Sequence, residues 1–218
     1  VSFAIAIDGP AASGKSSTAK RVAAELGIHH VDSGALYRAA TAARARDGGD
    51  PEHWAESDVL AAARRVTLVA IPGGFSPRID GLEVEAELRS VAVTSAVSRV
   101  AHLAGVRAWV NAQVRSAAAD HDVVVDGRDI GTAVLPDAAV KIFLVADPAE
   151  RARRRLAEQL GRAATADELQ AELDRLAARD ANDADNTRRA PDAVEIDTTR
   201  LTPDEQTAQI VALARARR

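Results

Sequence analysis

The segment Gly9-Pro10-Ala11-Ala12-Ser13-Gly14-Lys15-Ser16 fits the pattern G-x-x-x-x-G-K-[ST], and Ser17 continues it into the next turn. Each part answers a physical need of a bound polyphosphate. The glycines let the backbone turn its N–H groups inward around phosphate oxygens, and the helix that follows presents its N-terminus to the same anion. Lys15 reaches the β- and γ-phosphates, and the Ser16 hydroxyl suits Mg²⁺. An apolar run, Phe3 to Ile7, ends at Asp8 just before this loop, and Ala19, Val22, Ala23 and Leu26 share one face of a helix just after it. Strand, glycine loop and helix in that order distinguish a phosphate cradle from a chance glycine-rich turn.

Three further groups carry charges suited to a second phosphorylated substrate. Asp32-Ser33-Gly34-Ala35-Leu36-Tyr37-Arg38 follows a short apolar stretch and opens a helix. That puts it at the carboxyl end of a strand, where open α/β sheets bind ligands. Arg38 can there clamp a monophosphate with two parallel bonds; an ordinary capped helix with a solvated arginine is the alternative. Val123-Val124-Val125-Asp126-Gly127-Arg128-Asp129 is a β-run ending in an acid. Asp126 is placed to support Mg²⁺ through water, Arg128 to face phosphate and Asp129 to read a base, against the alternative of a polar turn with an Arg–Asp pair.

The third group is cationic. Arg151, Arg154 and Arg155 stand at i, i+3 and i+4, so they share a helix face at a small repulsive cost. A transferring phosphoryl group with its spread negative charge reverses that cost, whereas Glu150 and Glu158 offer neutralisation on the surface instead. Arg179 and Asp183, at i and i+4, either face the same cleft or pair on the surface.

The elements that must hold these groups alternate between strand and helix at first, as in a parallel sheet covered on both faces. Strands are predicted over 3–7, 28–31, 123–125, 139–146 and 193–196, and helices over 15–26, 33–46, 90–102, 106–119, 148–160 and 165–180. The middle breaks the rhythm: 66–71, 75–80 and 82–84 read as small antiparallel strands, an insertion of about 40 residues standing off the main sheet. Thr165 with Glu168 and Thr202 with Glu205 have capping-box spacing, marking helix starts.

Composition narrows the function classes. The 218 residues contain no cysteine, which removes disulfides, thiolate metal sites and cysteine nucleophiles. A net charge of −4 and an aromatic content of 3% do not suit a nucleic-acid binder, so any phosphate site must be local. No apolar run reaches the ~20 residues of a membrane span, and Phe3–Ile7 lacks the charged leader of a signal peptide. A cytoplasmic protein without membrane or nucleic-acid partners is expected. The five histidines, His29, His30, His53, His102 and His121, show no metal-binding spacing and read as surface or core filler. No Asn-Lys-x-Asp guanine reader is present.

The combination of Ile7–Ser16, Asp32–Arg38 and Asp126–Thr132, continued by Val140–Leu144 and Glu150–Arg155, resembles the bacterial cytidylate kinases over nearly the whole chain. The resemblance implies the P-loop nucleoside monophosphate kinase fold: α/β, with a five-stranded parallel sheet, helices on both faces, a small antiparallel monophosphate-binding insertion and a short helical lid. Within one kinase domain it implies a core at about 1–57, 103–148 and 190–218, the insertion at about 58–102 and the lid at about 149–189. It also implies transfer of a phosphoryl group from ATP to CMP or dCMP with Mg²⁺, by a monomer.

Carried over by motif, residues 9–17 hold ATP, Ser16 and (through water) Asp126 hold the metal, and Lys15, Arg128, Arg151, Arg154 and Arg155 serve the transfer. Ser33, Tyr37 and Arg38 border the CMP site, Ser98, Arg107 and Asp129 fall at base-reading positions, and Arg128 faces the substrate phosphate. An R-D-x-x-D-x-x-R run of the family is matched by Arg179, Asp180 and Asp183, but its last position is Asn186, so Arg188 or Arg189 takes over after a shift of register. A carboxylate accepting from cytosine N4, with an arginine donating toward N3 or O2, complements cytosine and sets an oxygen against uracil. A kinase for another monophosphate or a small alcohol, and a protein that uses ATP only as a conformational switch, are the competing readings.

Overall fold

A computed structural model describes residues 2–218. Its sheet has eight strands: β1 (Ala4–Asp8), β2 (His29–Asp32), β3 (Val66–Ile71), β4 (Gly74–Ile79), β5 (Leu82–Glu83), β6 (Val123–Asp126), β7 (Val140–Val145) and β8 (Val194–Asp197). The order β2-β6-β1-β7-β8 is parallel throughout. The helices are α1 (Lys15–Leu26), α2 (Ser33–Ala45), α3 (Glu56–Ala63), α4 (Val91–Val100), α5 (Ala104–Asp120), α6 (Pro148–Leu160), α7 (Ala166–Asp183) and α8 (Pro203–Arg215).

Alternation of side chains along the central strands divides the core in two. Ile5, Ile7 and Val124 face a cluster with Val22, Ile142, Leu144, Ile196 and Ile210, beneath α1 and α8. Ala6, Val123 and Val125 face the other side, with Leu36, Ala40, Val59, Val93, Val106, Val110 and Val114 from α2 to α5. A small third cluster, Ala11, Ala152 and Leu176, seats α6 and α7 on the glycine loop. Both capping boxes form, Thr165 with Glu168 and Thr202 with Glu205.

The sheet departs from expectation in the middle of the chain. β3, β4 and β5 form an antiparallel meander, yet they do not stand off the main sheet. β4 joins β2 in parallel at His30 and Gly74, which raises the strand count from five to eight. Gly74 permits the junction because a Cβ there would lie 2.7 Å from the His30 carbonyl oxygen. The His30 N–H also donates to the Gly73 carbonyl, 3.1 Å away. In the sequence Pro72-Gly73-Gly74 signals only a turn; the absence of a side chain at the second glycine is what lets two backbones meet.

Candidate active site

Four parallel strands end in acids at the same edge of the sheet: β8 in Asp197 and, around the glycine loop, β1 in Asp8, β2 in Asp32 and β6 in Asp126, with Asp32 and Asp126 directly paired. Above them the loop 9–14 leads into α1, which starts without a side-chain cap and has no acid in its first turn. The free amides of that helix start face a cleft of about 1240 Å³. Lys15 Nζ donates to the Pro10 carbonyl at 2.5 Å and sits 3.4 Å from Ser13 Oγ. Burial and the charge of Arg128 hold its ammonium well below the usual lysine range, a state that an anion in the loop would relieve.

Ser16 Oγ donates to Asp126 Oδ2 at 2.5 Å, while Asp126 Oδ1 meets His30 Nε2 at 2.7 Å. His30 and Asp126 are both buried, so the imidazole fixes the rotation of the carboxylate. Asp32 caps α2 by accepting from the Ala35 N–H, and burial, with the Asp126 charge beside it, pushes its carboxyl up to about 6. Asp8 accepts from the Ile130 and Gly131 amides, each at 2.8 Å, and burial raises it to about 6 against those bonds. Asp8 thereby ties the end of β1 to the π-turn Ile130–Val134 and fixes the backbone that carries Arg128 and Asp129.

The far end of the cleft is cationic. Arg128 donates to Asp183 Oδ2 from Nε and Nη2, at 3.1 and 2.9 Å, and to the Gly9 carbonyl at 2.9 Å. Arg179 lies 3.7 Å from the same carboxylate oxygen, and its buried Nε has no hydrogen-bond partner. Burial, and after it the Arg128 charge, lowers Arg179 to about 10; Arg38 is lowered by burial too, with Arg155, Arg89 and Arg128 adding repulsion. These guanidiniums crowd one another at the mouth of a phosphate loop. Arg107 pairs with Asp129, and Tyr37, Ser98, Arg107 and Asp129 line the cleft together. Burial raises the Asp129 carboxyl in spite of Arg107.

Of the residues singled out in the sequence, 11–17, Ser33, Tyr37, Arg38, Ser98, Arg107, Asp126, Arg128, Asp129, Arg154, Arg155, Arg179 and Asp183 line this single cleft. Gly9 touches it through the carbonyl that Arg128 grips, and the Pro10 carbonyl is bonded to Lys15.

Two placements differ from expectation. Arg151, Arg154 and Arg155 do not act as one face. Arg151 is buried and turned away, with Nη1 on the Ala11 carbonyl (3.0 Å) and Asp180 (2.6 Å). Arg154 bonds Thr198 and Glu150, and Arg155 pairs with the buried Glu172 at 3.0 Å. The separation arises because α7 packs across α6 and offers Asp180 to Arg151 and Glu172 to Arg155, while the turn after β8 offers Thr198 to Arg154. Arg188 also stays out: it is exposed and Arg189 pairs with Glu195, whereas Asn186 itself lines the cleft. The short 3₁₀ turn Ala184–Asn186 ends α7 before the chain can swing an arginine inward.

Sequence reasoning missed Asp8, His30 and Glu172, and it placed Asp180 in the family's run without giving it Arg151 as a partner. An acid ending the first strand was the same signal that marked Asp126, so Asp8 was findable. His30 was not, since its partner is distant in sequence.

A glycine loop opening a helix over a buried lysine, a hydroxyl–carboxylate pair and an opposing set of guanidiniums, on a mostly parallel sheet, define a P-loop phosphotransferase. The profile of the cytidylate kinase family matches residues 5–216. Cytidylate kinase of Geobacillus kaustophilus is 44% identical over 221 residues, covering 99% of this chain and 97% of that protein. Those of Streptomyces griseus and Limosilactobacillus reuteri are 42% and 41% identical, covering 100% and 94% of this chain and 94% and 92% of the relatives. The chain belongs to the cytidylate kinase family. Among solved structures, an uncharacterized protein from Eubacterium ventriosum aligns over 100% of both chains with a TM-score of 0.54 at 15% identity, a likeness of fold. Among the described residues no helix is long and apolar enough to cross a membrane.

Proposed function

We propose that this chain transfers the γ-phosphoryl group of ATP to CMP, and to dCMP, giving ADP and the diphosphate. The observation that carries this reading is the Arg107–Asp129 pair in the same cleft as the phosphate loop, with Arg38, Arg128 and Arg179 beside it. The pair offers an acceptor for cytosine N4 and donors for N3 or O2, and the three arginines offer a seat for the acceptor phosphate. Glycine-loop amides and Lys15 hold the donor's phosphates. The acceptor phosphate is already a nucleophile, so the work of these side chains is alignment and neutralisation of charge during in-line transfer.

Arg154 and Arg155 approach from α6 and close the cleft against water, which would otherwise consume ATP. Arg151 is reassigned as a strut: it joins the Ala11 carbonyl to Asp180 and so ties α6 and α7 to the loop. Asn186 takes the position where Arg188 was expected.

Mg²⁺ fits the donor set. Ser16 and Asp126 supply a hydroxyl and a carboxylate in contact. Mg²⁺ prefers few protein oxygens, with water and phosphate completing its shell. Bound there it would offset charge on the polyphosphate; Ser16 would touch it and Asp126, oriented by His30, would hold its water.

The test is ADP formation from ATP with CMP, dCMP, UMP, AMP and shikimate as acceptors. CMP and dCMP stimulating turnover far above the rest supports the reading. Equal stimulation by UMP, or ATP hydrolysis that no acceptor accelerates, overturns it.

A further inference from the structure

His102 lies just beyond α4, and both of its ring nitrogens face backbone carbonyls. Nδ1 is 2.7 Å from the Ser98 oxygen in the last turn of α4, and Nε2 is 2.9 Å from the Asn182 oxygen in the last turn of α7. Terminal carbonyls of a helix have no intrahelical donor and carry the negative end of its dipole. A neutral imidazole has one N–H and can serve only one of two acceptors; the imidazolium has two and serves both. Among the described residues, no other hydrogen bond joins the 91–102 segment to α7.

We propose that His102, as the imidazolium, is a positioning residue for the acceptor site, latching the end of α4 to the end of α7 so that Ser98 and the Asp183–Arg128 pair are held facing one another. The inference rests on the reading of this end of the cleft as the CMP site. Asp183 follows Asn182 directly and bonds Arg128, so a latch on Asn182 steadies the carboxylate that aims the phosphate-facing arginine. The charged groups that face the ring are Asp183 on α7, which favours the cation, and Arg107 on α5, which opposes it. The Ser98 and Asn182 carbonyls raise its pKa above the ordinary imidazole value.

A group whose pKa is raised in the latched state stabilises that state at low pH and releases it as pH rises through the raised value. The experiment compares KM for CMP across pH in the wild type, His102→Ala and His102→Gln, with the ring pKa of His102 followed by NMR. The CMP phosphate titrates alike in all three proteins, so the difference between profiles isolates the ring. We expect the wild-type KM to rise by about two- to fivefold through the His102 pKa, the scale of one cation at a helix end. Both variants should lack that limb, exceeding the wild-type KM by that factor below the His102 pKa and converging on it above.

A ratio of variant to wild-type KM that does not change through the ring pKa, or a ring pKa at or below the ordinary value, overturns the latch. So does a KM raised by the same factor at all pH values, which would indicate packing alone. Absence of CMP-stimulated turnover in the wild type would instead defeat the substrate reading, while the NMR pKa would still report on the double hydrogen bond.

Discussion

The substitution Asp129→Asn changes one oxygen for an amino group at the point where the base would be read. The carboxylate is pinned by Arg107, its side chain is only 14% exposed, and burial already raises its pKa. Water therefore cannot readily take over a bond lost there. The variant would lose a charge-assisted acceptor for cytosine N4, about 1.5–3 kcal/mol, and its amide would turn either a weaker oxygen or a clashing N–H₂ toward that amine, about 1–3 kcal/mol more. Together these come to about 2.5–6 kcal/mol, a fall in kcat/KM for CMP on the order of 10²–10⁴-fold.

For UMP the sign reverses, because the asparagine amide can donate to O4. A gain of about 1 kcal/mol, or roughly fivefold, is expected from one neutral hydrogen bond. The assay is coupled ADP release with each nucleotide, and the readout is the ratio of the two kcat/KM values, which cancels losses of active protein. Thermal melting of the variant confirms that Arg107 has not been left to unfold the turn. A CMP-to-UMP ratio within about threefold of wild type, in a folded variant, would refute base reading by Asp129; so small a change is under 1 kcal/mol.

Lys15→Ala should leave the fold intact and lower kcat by about 10²–10³-fold, the scale of losing one charged stabiliser at a transferring phosphoryl group, measured at saturating ATP and CMP. Gly9→Ala should lower Tm by roughly 5–15 °C, from a cost on the order of 2–4 kcal/mol. The added Cβ would lie 2.2 Å from the Leu144 carbonyl oxygen at a φ of +148°. Asp32→Asn should stabilise the protein at about pH 8 by up to about 3 kcal/mol, read as a rise in Tm. Asp32 is raised to about 6 from 3.8, so its ionisation costs folding free energy as pH rises through that window; the advantage should vanish by about pH 4. Asparagine keeps the cap on Ala35, which makes the charge the variable tested.

The sequence by itself determined the chemistry and its local frame. A strand, a loop of small residues and a helix follow from composition and period within residues 3–26, and Lys15 and Ser16 can only stand at that helix start. Asp32, Asp126, Arg128 and Asp129 were legible for the same reason: each sits at the end of an apolar run, and parallel strands deliver their ends to one edge. What the sequence left open were meetings between residues far apart along it. Spacing puts Arg151, Arg154 and Arg155 on one helix face, but the packing of α7 against α6 gives Arg151 and Arg155 Asp180 and Glu172, and the turn after β8 gives Arg154 Thr198. Motif length suggests Arg188 for the cleft, but the end of α7 leaves Asn186 there. His30 and His102 look idle in the sequence, yet the first meets Asp126 and the second meets Asn182. Helical and strand periods follow from steric limits that act within a few residues, whereas the partner of a long charged side chain depends on how whole elements dock, and only burial of their apolar faces fixes that.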